Sequence, residues 1–133
     1  MTPKKILIVD DDQHLLIGLT ARLKHHGYSV VTSMDAVSAI AVAKRSAPDL
    51  IILDLGLPAG DGYLVLERLK ELPDLAMIPV IVLSARDPVP NKQRSMEAGA
   101  VAFFQKPPEN HALMAAIHHA LGETTALSAF LTT

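Results

Sequence analysis

Five polar side chains of this sequence have the chemistry needed to bind and transfer a phosphoryl group. They are three aspartates, a serine and a lysine, and each follows a short apolar run: Asp10, Asp11, Asp54, Ser84 and Lys106. Carboxylates that lie close together repel one another, and Mg²⁺, which prefers oxygen ligands, relieves the repulsion. The ammonium and the hydroxyl would bind the remaining phosphoryl oxygens. Because a carboxylate is a nucleophile toward phosphoryl groups, the set indicates a site that takes a phosphoryl group onto an aspartate.

This chemistry requires the five residues to converge, and the pattern of the chain predicts that they do. Five short strand-like runs alternate with five helical stretches; the runs are Ile6–Val9, Tyr28–Thr32, Leu50–Leu53, Val80–Leu83 and Val101–Gln105. The alternation predicts an α/β fold of three layers, in which a doubly wound, five-stranded parallel sheet carries helices on both faces. In such sheets the ligand binds beyond the carboxyl ends of the strands, where the strand order reverses.

The spacing of apolar residues predicts the buried side of each helix. The sets are Leu15, Leu19 and Leu23 for the first helix, Val37, Ile40, Ala41 and Ala47 for the second, Leu66 and Leu69 for the third, and Leu113, Ala116, Ile117, Ala120 and Leu121 for the last. Asp12 is expected to be the N-cap of the first helix. The fourth helix, about 91–98, has few apolar residues and follows a loop expected to contain Pro88 and Pro90. We therefore expect it to dock weakly and to shift most readily.

The overall composition excludes several other classes of protein. The chain has 133 residues, of which 50% are apolar, so it fits one domain with a hydrophobic core. Its net charge of −2 argues against direct binding of nucleic acid or a membrane surface. The absence of cysteine excludes disulfides, thiolate metal sites and cysteine nucleophiles. Since no apolar run reaches the roughly 18 residues of a membrane span and no signal-peptide pattern is seen, we expect a cytoplasmic domain.

Two pairs of adjacent histidines, His25–His26 and His118–His119, favour surface positions over metal binding. Adjacent helical residues point about 100° apart, so neither pair chelates an ion well. His14 is likewise expected to be an exposed helix residue near the acidic cluster. The glycines between residues 55 and 62 are expected to lie in turns, because no Gly-Lys-Ser/Thr motif follows them.

Over residues 4–122 the sequence resembles the receiver domain of a two-component response regulator (the CheY-like family). The motifs that carry the resemblance are Ile-Val-Asp10-Asp11, Ile-Leu-Asp54 with Pro58 and Gly62 after it, Val-Leu-Ser84-Ala85, and Phe103-Phe-Gln-Lys106-Pro107. The resemblance implies a flavodoxin-like fold and a receiver domain at residues 4–122. Residues 123–133 would then be a C-terminal tail or the start of a linker, with Leu127, Phe130 and Leu131 apolar enough to pack or to extend a helix.

The resemblance implies that Asp54 is the phosphoacceptor and that Mg²⁺ is the cofactor. Asp11 would ligate the ion directly and Asp10 mostly through water. Asp54 and the backbone carbonyl of Gly56 would be further ligands.

The resemblance also implies roles for the residues that face the phosphoryl group. Ser84 and Lys106 would bind its oxygens, with a cis peptide bond between Lys106 and Pro107. Ser84 and Phe103 would be the switch residues, whose movement changes the partner-binding face formed by the fourth helix, the fifth strand and the fifth helix. Phe103 lacks the hydroxyl of the tyrosine alternative, so its inward state would depend on packing alone.

The resemblance implies two kinds of partner, a phosphoryl donor and an output partner. A sensor histidine kinase or a phosphotransfer protein would supply the phosphoryl group from a phosphohistidine, and the sequence does not identify the output partner. A homodimer that depends on phosphorylation is left open. So is the choice between a stand-alone receiver and the N-terminal receiver of a multidomain regulator or hybrid kinase. Beyond its own phosphorylation and dephosphorylation, the domain is not expected to be an enzyme.

Two other functions compete with this interpretation. An aspartate-nucleophile phosphohydrolase would need a second acid two residues after the nucleophile, and position 56 is Gly. A receiver-like interaction module that never takes a phosphoryl group would not need the intact acids together with Ser84 and Lys106.

Overall fold

The computed structural model describes residues 2–123. Five strands and five helices alternate along the chain, as predicted: β1 Lys5–Val9, α1 Gln13–His25, β2 Ser29–Ser33, α2 Ala36–Ser46, β3 Leu50–Leu53, α3 Gly62–Glu71, β4 Val80–Ser84, α4 Pro88–Glu97, β5 Ala102–Gln105 and α5 Asn110–Ala120. The predicted tail at 123–133 lies outside the described residues except for Glu123.

The five strands form one parallel sheet in the order β2-β1-β3-β4-β5. The chain moves from β1 outward to β2 and then returns to place β3 on the other side of β1. The strand order therefore reverses between β1 and β3, which is where a sheet of this kind binds its ligand. The predicted doubly wound α/β fold is confirmed.

Side chains of the central strands alternate between two hydrophobic cores, one on each face of the sheet. Leu7 and Val9 belong to the core on the side of α2 and α3, whereas Ile6 and Ile8 belong to the core on the side of α1 and α5. This alternation follows from the two-residue period of a strand. Strands β3 and β4 are buried along their whole length, which explains why the sequence shows them as continuous apolar runs.

The buried face of α2 differs from the predicted one. The predicted residues are exposed or only partly buried: Val37, Ile40, Ala41 and Ala47. Ala36, Ala39 and Ala43 face the core instead, while Val37 is 73% exposed. The loop after β3 lies against this face, since a Cβ added at Gly60 would come within 3.1 Å of the Ala36 Cβ. Close approach of the loop therefore favours a small side chain at Ala36.

Helix α4 begins earlier than predicted. Its N-cap is Asp87, so Pro88 and Pro90 lie in its first turn and not in the preceding loop. Prolines fit there because the first N–H groups of a helix have no acceptor within the helix. Of the ten residues of α4, all of them described, only Ser95 is buried. The thin inner face predicted for this helix is confirmed.

Helix α1 begins at its predicted cap. The Asp12 carboxylate accepts hydrogen bonds from the N–H groups of His14 and Leu15 at 3.1 and 3.2 Å. Leu19 and Leu23 are buried as predicted, but Leu16 takes the place expected for the partly buried Leu15. Within residues 2–123, no helix has both the length and the apolar character that crossing a bilayer requires.

Candidate functional site

Three aspartates meet at the carboxyl edge of the sheet. Strands β1 and β3 are neighbours with Val9 opposite Leu53, so Asp10 and Asp54 leave the sheet side by side. The Asp54 N–H donates to the Val9 carbonyl at 2.9 Å. Carboxylate oxygens of Asp10, Asp11 and Asp54 all lie within 4.8 Å of one another. The structure thus brings together the three acids that the strand ends indicated.

Lys106 joins this cluster from the end of β5. Its Nζ lies 2.8 Å from Asp10 Oδ2 and 3.4 Å from Asp54 Oδ2. The Lys106 N–H donates to the Ser84 carbonyl at 2.8 Å, which continues the pairing of β4 with β5. The Lys106–Pro107 peptide bond is cis, as expected. The sequence identified Lys106 as the opposing cation but not its closer pairing with Asp10, because side-chain reach depends on the tertiary arrangement.

For both Asp10 and Lys106, burial and the opposite charge of the partner shift the pKa in opposite directions. Asp10 is 2% exposed, and burial raises the pKa of its carboxyl group although hydrogen bonds from Lys106 and Asp12 lower it. Burial lowers the pKa of the Lys106 ammonium, but Asp10 and Asp54 outweigh it and the pKa is raised. The fold therefore keeps Lys106 charged and disfavours the charge on Asp10.

The donor set of the cluster fits a hard divalent cation. Within the part of the chain that the structure describes, three carboxylates face one ammonium. Asp10 and Asp54 are buried while Asp11 is exposed. Two of the three carboxylates are therefore enclosed by the protein, and the third faces solvent. Mg²⁺ takes a few carboxylates and completes its shell with waters. Gly56 donates its N–H to Asp54 Oδ1 at 3.3 Å; ligation by the Gly56 carbonyl stays a prediction.

The two predicted switch residues lie on the neighbouring strands β4 and β5. Ser84 is buried at the end of β4, beside β3, and its Oγ accepts the Arg86 N–H at 3.2 Å. It is not the cap of α4, since Asp87 has that position. Phe103 is partly buried and packs against the core on the side of α2 and α3. Their movement on phosphorylation stays a prediction.

Gly62 lies against the backbone of Asp54, at a position that the sequence indicated as a turn residue and as part of the motif after Asp54. A Cβ at this position would overlap the Asp54 carbonyl oxygen and the Leu55 Cα. The Gly62 N–H also donates to the Leu55 carbonyl at 2.8 Å. The available signal in the sequence was the place of this glycine in the motif that follows Asp54.

Replacing the buried charge of Asp10 tests the electrostatics of the cluster. Asp10→Asn is expected to raise the free energy of unfolding of the metal-free protein by about 1 kcal/mol, because it removes a buried charge that the Asp54 carboxylate repels. The amide oxygen can still accept the Asp12 N–H, 2.9 Å away, and Lys106 keeps Asp54 as a partner. Mg²⁺ should stabilise the wild type more than the variant, since a ligand of the folded state raises stability by mass action.

Urea unfolding with and without Mg²⁺ measures both effects. Asp74 is an exposed acid, so Asp74→Asn is a matched control. It should change neither the free energy of unfolding nor its increase on addition of Mg²⁺. Equal stabilisation of the wild type and Asp10→Asn by Mg²⁺ would contradict a metal site at this cluster.

Sequence comparisons find one family along most of the chain. The family model described as the response regulator receiver domain matches residues 6–118. The response regulator PleD of Caulobacter vibrioides is 37% identical over 113 residues, which are 85% of this chain and 25% of PleD. The alkaline phosphatase synthesis transcriptional regulatory protein PhoP of Bacillus subtilis is 38% identical over 104 residues, 78% of this chain and 42% of PhoP. The chain thus spans less than half of the length of these curated relatives.

Solved structures agree with the sequence comparisons. A response regulator from Chloroflexus aurantiacus superposes with a TM-score of 0.86 at 30% identity, covering 92% of this chain and all of that one. The receiver domain of a sensor histidine kinase from Pseudomonas aeruginosa has a TM-score of 0.83 at 25% identity, again covering 92% of this chain and 100% of the other. That domain is described with a magnesium ion coordinated in its active-site cleft.

Proposed function

The chain belongs to the response regulator receiver domain family, and from this premise we propose that it takes a phosphoryl group from a phosphohistidine onto Asp54. The observation that carries the proposal is the convergence of three carboxylates with Lys106 where the strand order of the sheet reverses. A structural ion pair needs only one acid for each ammonium. The excess of buried acid is characteristic of a functional site.

In the proposed reaction an oxygen of the Asp54 carboxylate attacks phosphorus. The bond from phosphorus to the donor imidazole nitrogen breaks as the new oxygen–phosphorus bond forms, so Asp54 becomes an acyl phosphate. The imidazole leaves with the electron pair of the broken bond and takes up a proton. Lys106, already 3.4 Å from Asp54 Oδ2, places its positive charge beside the transferred oxygens, and the Ser84 hydroxyl donates a hydrogen bond to them.

Three carboxylates would hold the metal in this proposal: Asp10, Asp11 and Asp54, with the Gly56 carbonyl as a further ligand. When bound, Mg²⁺ would neutralise the charge of the acids and of the phosphoryl oxygens. Burial of Asp10 and Asp54 keeps these donors fixed in place, while the exposed Asp11 leaves the approach open to a partner.

The output of the proposed reaction is a change of the face formed by α4, β5 and α5. The acyl phosphate adds about −1.5 to −2 charge at the sheet edge, as in other phosphorylated residues. Ser84 moves toward this charge, and Phe103 fills the space that its movement opens. The face then binds an output partner or a second copy of the chain.

The setting of the reaction follows from the same proposal. Residues 4–122 are the receiver, residues 123–133 are a C-terminal tail or the start of a linker, and a sensor histidine kinase or phosphotransfer protein is the donor. The exchange takes place in the cytoplasm. The domain catalyses its own phosphorylation and dephosphorylation and no reaction of an outside substrate.

Mass spectrometry with a small phosphodonor tests the proposal. Incubation with acetyl phosphate and Mg²⁺ is expected to add the mass of one phosphoryl group, and chelation of Mg²⁺ should prevent the gain. A chain that gains no mass would be a phosphorylation-independent interaction module. Continuous release of phosphate from many esters would indicate a phosphohydrolase.

A further inference from the structure

Helix α4 obtains little of its docking from apolar burial. Val89 is 85% exposed, and the one buried residue of the helix is Ser95. The Ser95 hydroxyl has no hydrogen-bond partner among residues 2–123. Burial of an unpaired hydroxyl is unfavourable, so other contacts must hold the helix in place.

Besides lying beside β5, α4 is attached through polar contacts with Tyr63, at the start of α3. The Tyr63 ring is buried, and its hydroxyl donates to Asn91 Oδ1 at 2.7 Å. The Arg94 guanidinium lies over the ring, 3.7 Å from its centroid. A cation above an aromatic face is attracted by the electron density of the ring. One side chain of α3 thus binds two residues of α4.

An ion pair extends the same attachment toward the site. Asp61 is the N-cap of α3, and its Oδ1 accepts the Tyr63 N–H at 2.9 Å. Its Oδ2 lies 3.0 Å from the guanidinium of Arg86, in the segment between β4 and α4. We name these five residues the α3–α4 clamp: Asp61, Tyr63, Arg86, Asn91 and Arg94.

The clamp is connected to Ser84 through the backbone of Arg86. The Arg86 N–H donates to Ser84 Oγ at 3.2 Å, while the side chain of the same residue is paired with Asp61. A displacement of Ser84 Oγ toward Asp54 must either break this hydrogen bond or carry the Arg86 backbone with it. Movement of that backbone also displaces the Arg86 side chain from its place beside Asp61.

We propose that Arg86, Asp61 and Tyr63 are positioning residues that hold Ser84 and α4 in the resting arrangement. The inference rests on the proposed function, because it concerns how Ser84 responds to a phosphoryl group. Phosphorylation must loosen the clamp before α4 can move. Weakening the clamp should therefore favour the phosphorylated arrangement, since a ligand binds more tightly when its preferred state costs less to reach.

Affinity for beryllofluoride, a mimic of the phosphoryl group, tests the clamp in the presence of Mg²⁺. Asp61→Asn, Arg86→Gln and Tyr63→Phe are each expected to tighten binding about 2- to 5-fold, the range that a partly exposed ion pair or hydrogen bond allows. The first two variants change the local charge in opposite directions, so a direct charge effect on the anion would move their affinities in opposite directions. A shared increase is expected only if the clamp itself opposes the active state.

A double variant and a surface control complete the experiment. Asp61→Asn combined with Arg86→Gln should bind no more tightly than either single variant, because both single changes break the same ion pair. Lys92 is an exposed residue of α4, so Lys92→Gln should leave the affinity unchanged. Thermal unfolding checks that each variant is folded; a merely structural role would lower stability without tightening the binding of beryllofluoride.

Two outcomes separate this inference from the proposed function. If the wild type neither binds beryllofluoride nor gains a phosphoryl group, the proposed function is wrong. If the wild type does both, but Asp61→Asn and Arg86→Gln bind no more tightly or shift in opposite directions, only the clamp is overturned.

Discussion

Asp54→Asn is expected to abolish phosphorylation completely, with no gain of mass from acetyl phosphate and Mg²⁺ over the time in which the wild type reaches its plateau. The amide has nearly the shape of the carboxylate, but its nitrogen and oxygen do not attack phosphorus as a carboxylate does. The buried position of Asp54 beside β1 should be kept, because its backbone hydrogen bond to Val9 is unaffected. Intact-mass spectrometry measures the result.

Asp12→Asn is the matched control for this variant. Asp12 lies at the same edge of the sheet, but its carboxylate caps α1 through the N–H groups of His14 and Leu15. Asparagine caps helices about as well as aspartate, so the control should gain one phosphoryl group like the wild type. A phosphorylated Asp54→Asn protein would show that another residue is the acceptor.

Gly62→Ala is expected to have the largest effect on the fold, lowering the free energy of unfolding by about 2 kcal/mol or more. The added methyl group would overlap the backbone of Asp54 and Leu55. Backbone atoms directly after a central strand cannot turn aside as a flexible side chain can, so the loop or α3 must shift. Because the displaced backbone carries Asp54, phosphorylation should slow as stability falls.

Gly18→Ala is the control for the glycine substitution. Gly18 lies within α1, and a Cβ there would meet no atom within 4 Å. Alanine in a helix is favoured over glycine by up to about 1 kcal/mol, so this variant should be more stable than the wild type. The urea concentrations at the unfolding midpoints of Gly62→Ala and Gly18→Ala test both predictions. Equal midpoints would contradict the close approach at Gly62.

Helix α2 shows where a prediction from sequence fails. Apolar spacing selected Val37, because valine has a larger apolar surface than alanine. In the structure Ala36 and Ala39 are buried instead, and at Ala36 the loop near Gly60 comes too close to admit a larger side chain. The hydrophobicity of a residue indicates how much free energy its burial contributes, but the space between neighbouring elements decides which side chain fits there.

Helix α4 shows a second limit of the same kind. Pro88 and Pro90 indicated a loop. In the structure both lie in a helix whose N-cap is Asp87. The contacts that attach this helix, from Tyr63 to Asn91 and Arg94, join residues 28 to 31 positions apart in sequence. Only the tertiary structure, which places α4 beside β5 and within reach of Tyr63, brings them together.

The sequence by itself determined the order in which strands and helices follow one another along the chain. It also determined the chemistry at the strand ends. Both are local properties, since a buried strand appears as an apolar run and a parallel sheet places every carboxyl end on one edge. The tertiary structure alone decided that Lys106 lies nearest to Asp10, that Gly62 lies against the backbone of Asp54 and that Arg86 pairs with Asp61. These features depend on distances of a few ångström between elements distant in sequence, which packing fixes and residue patterns do not encode.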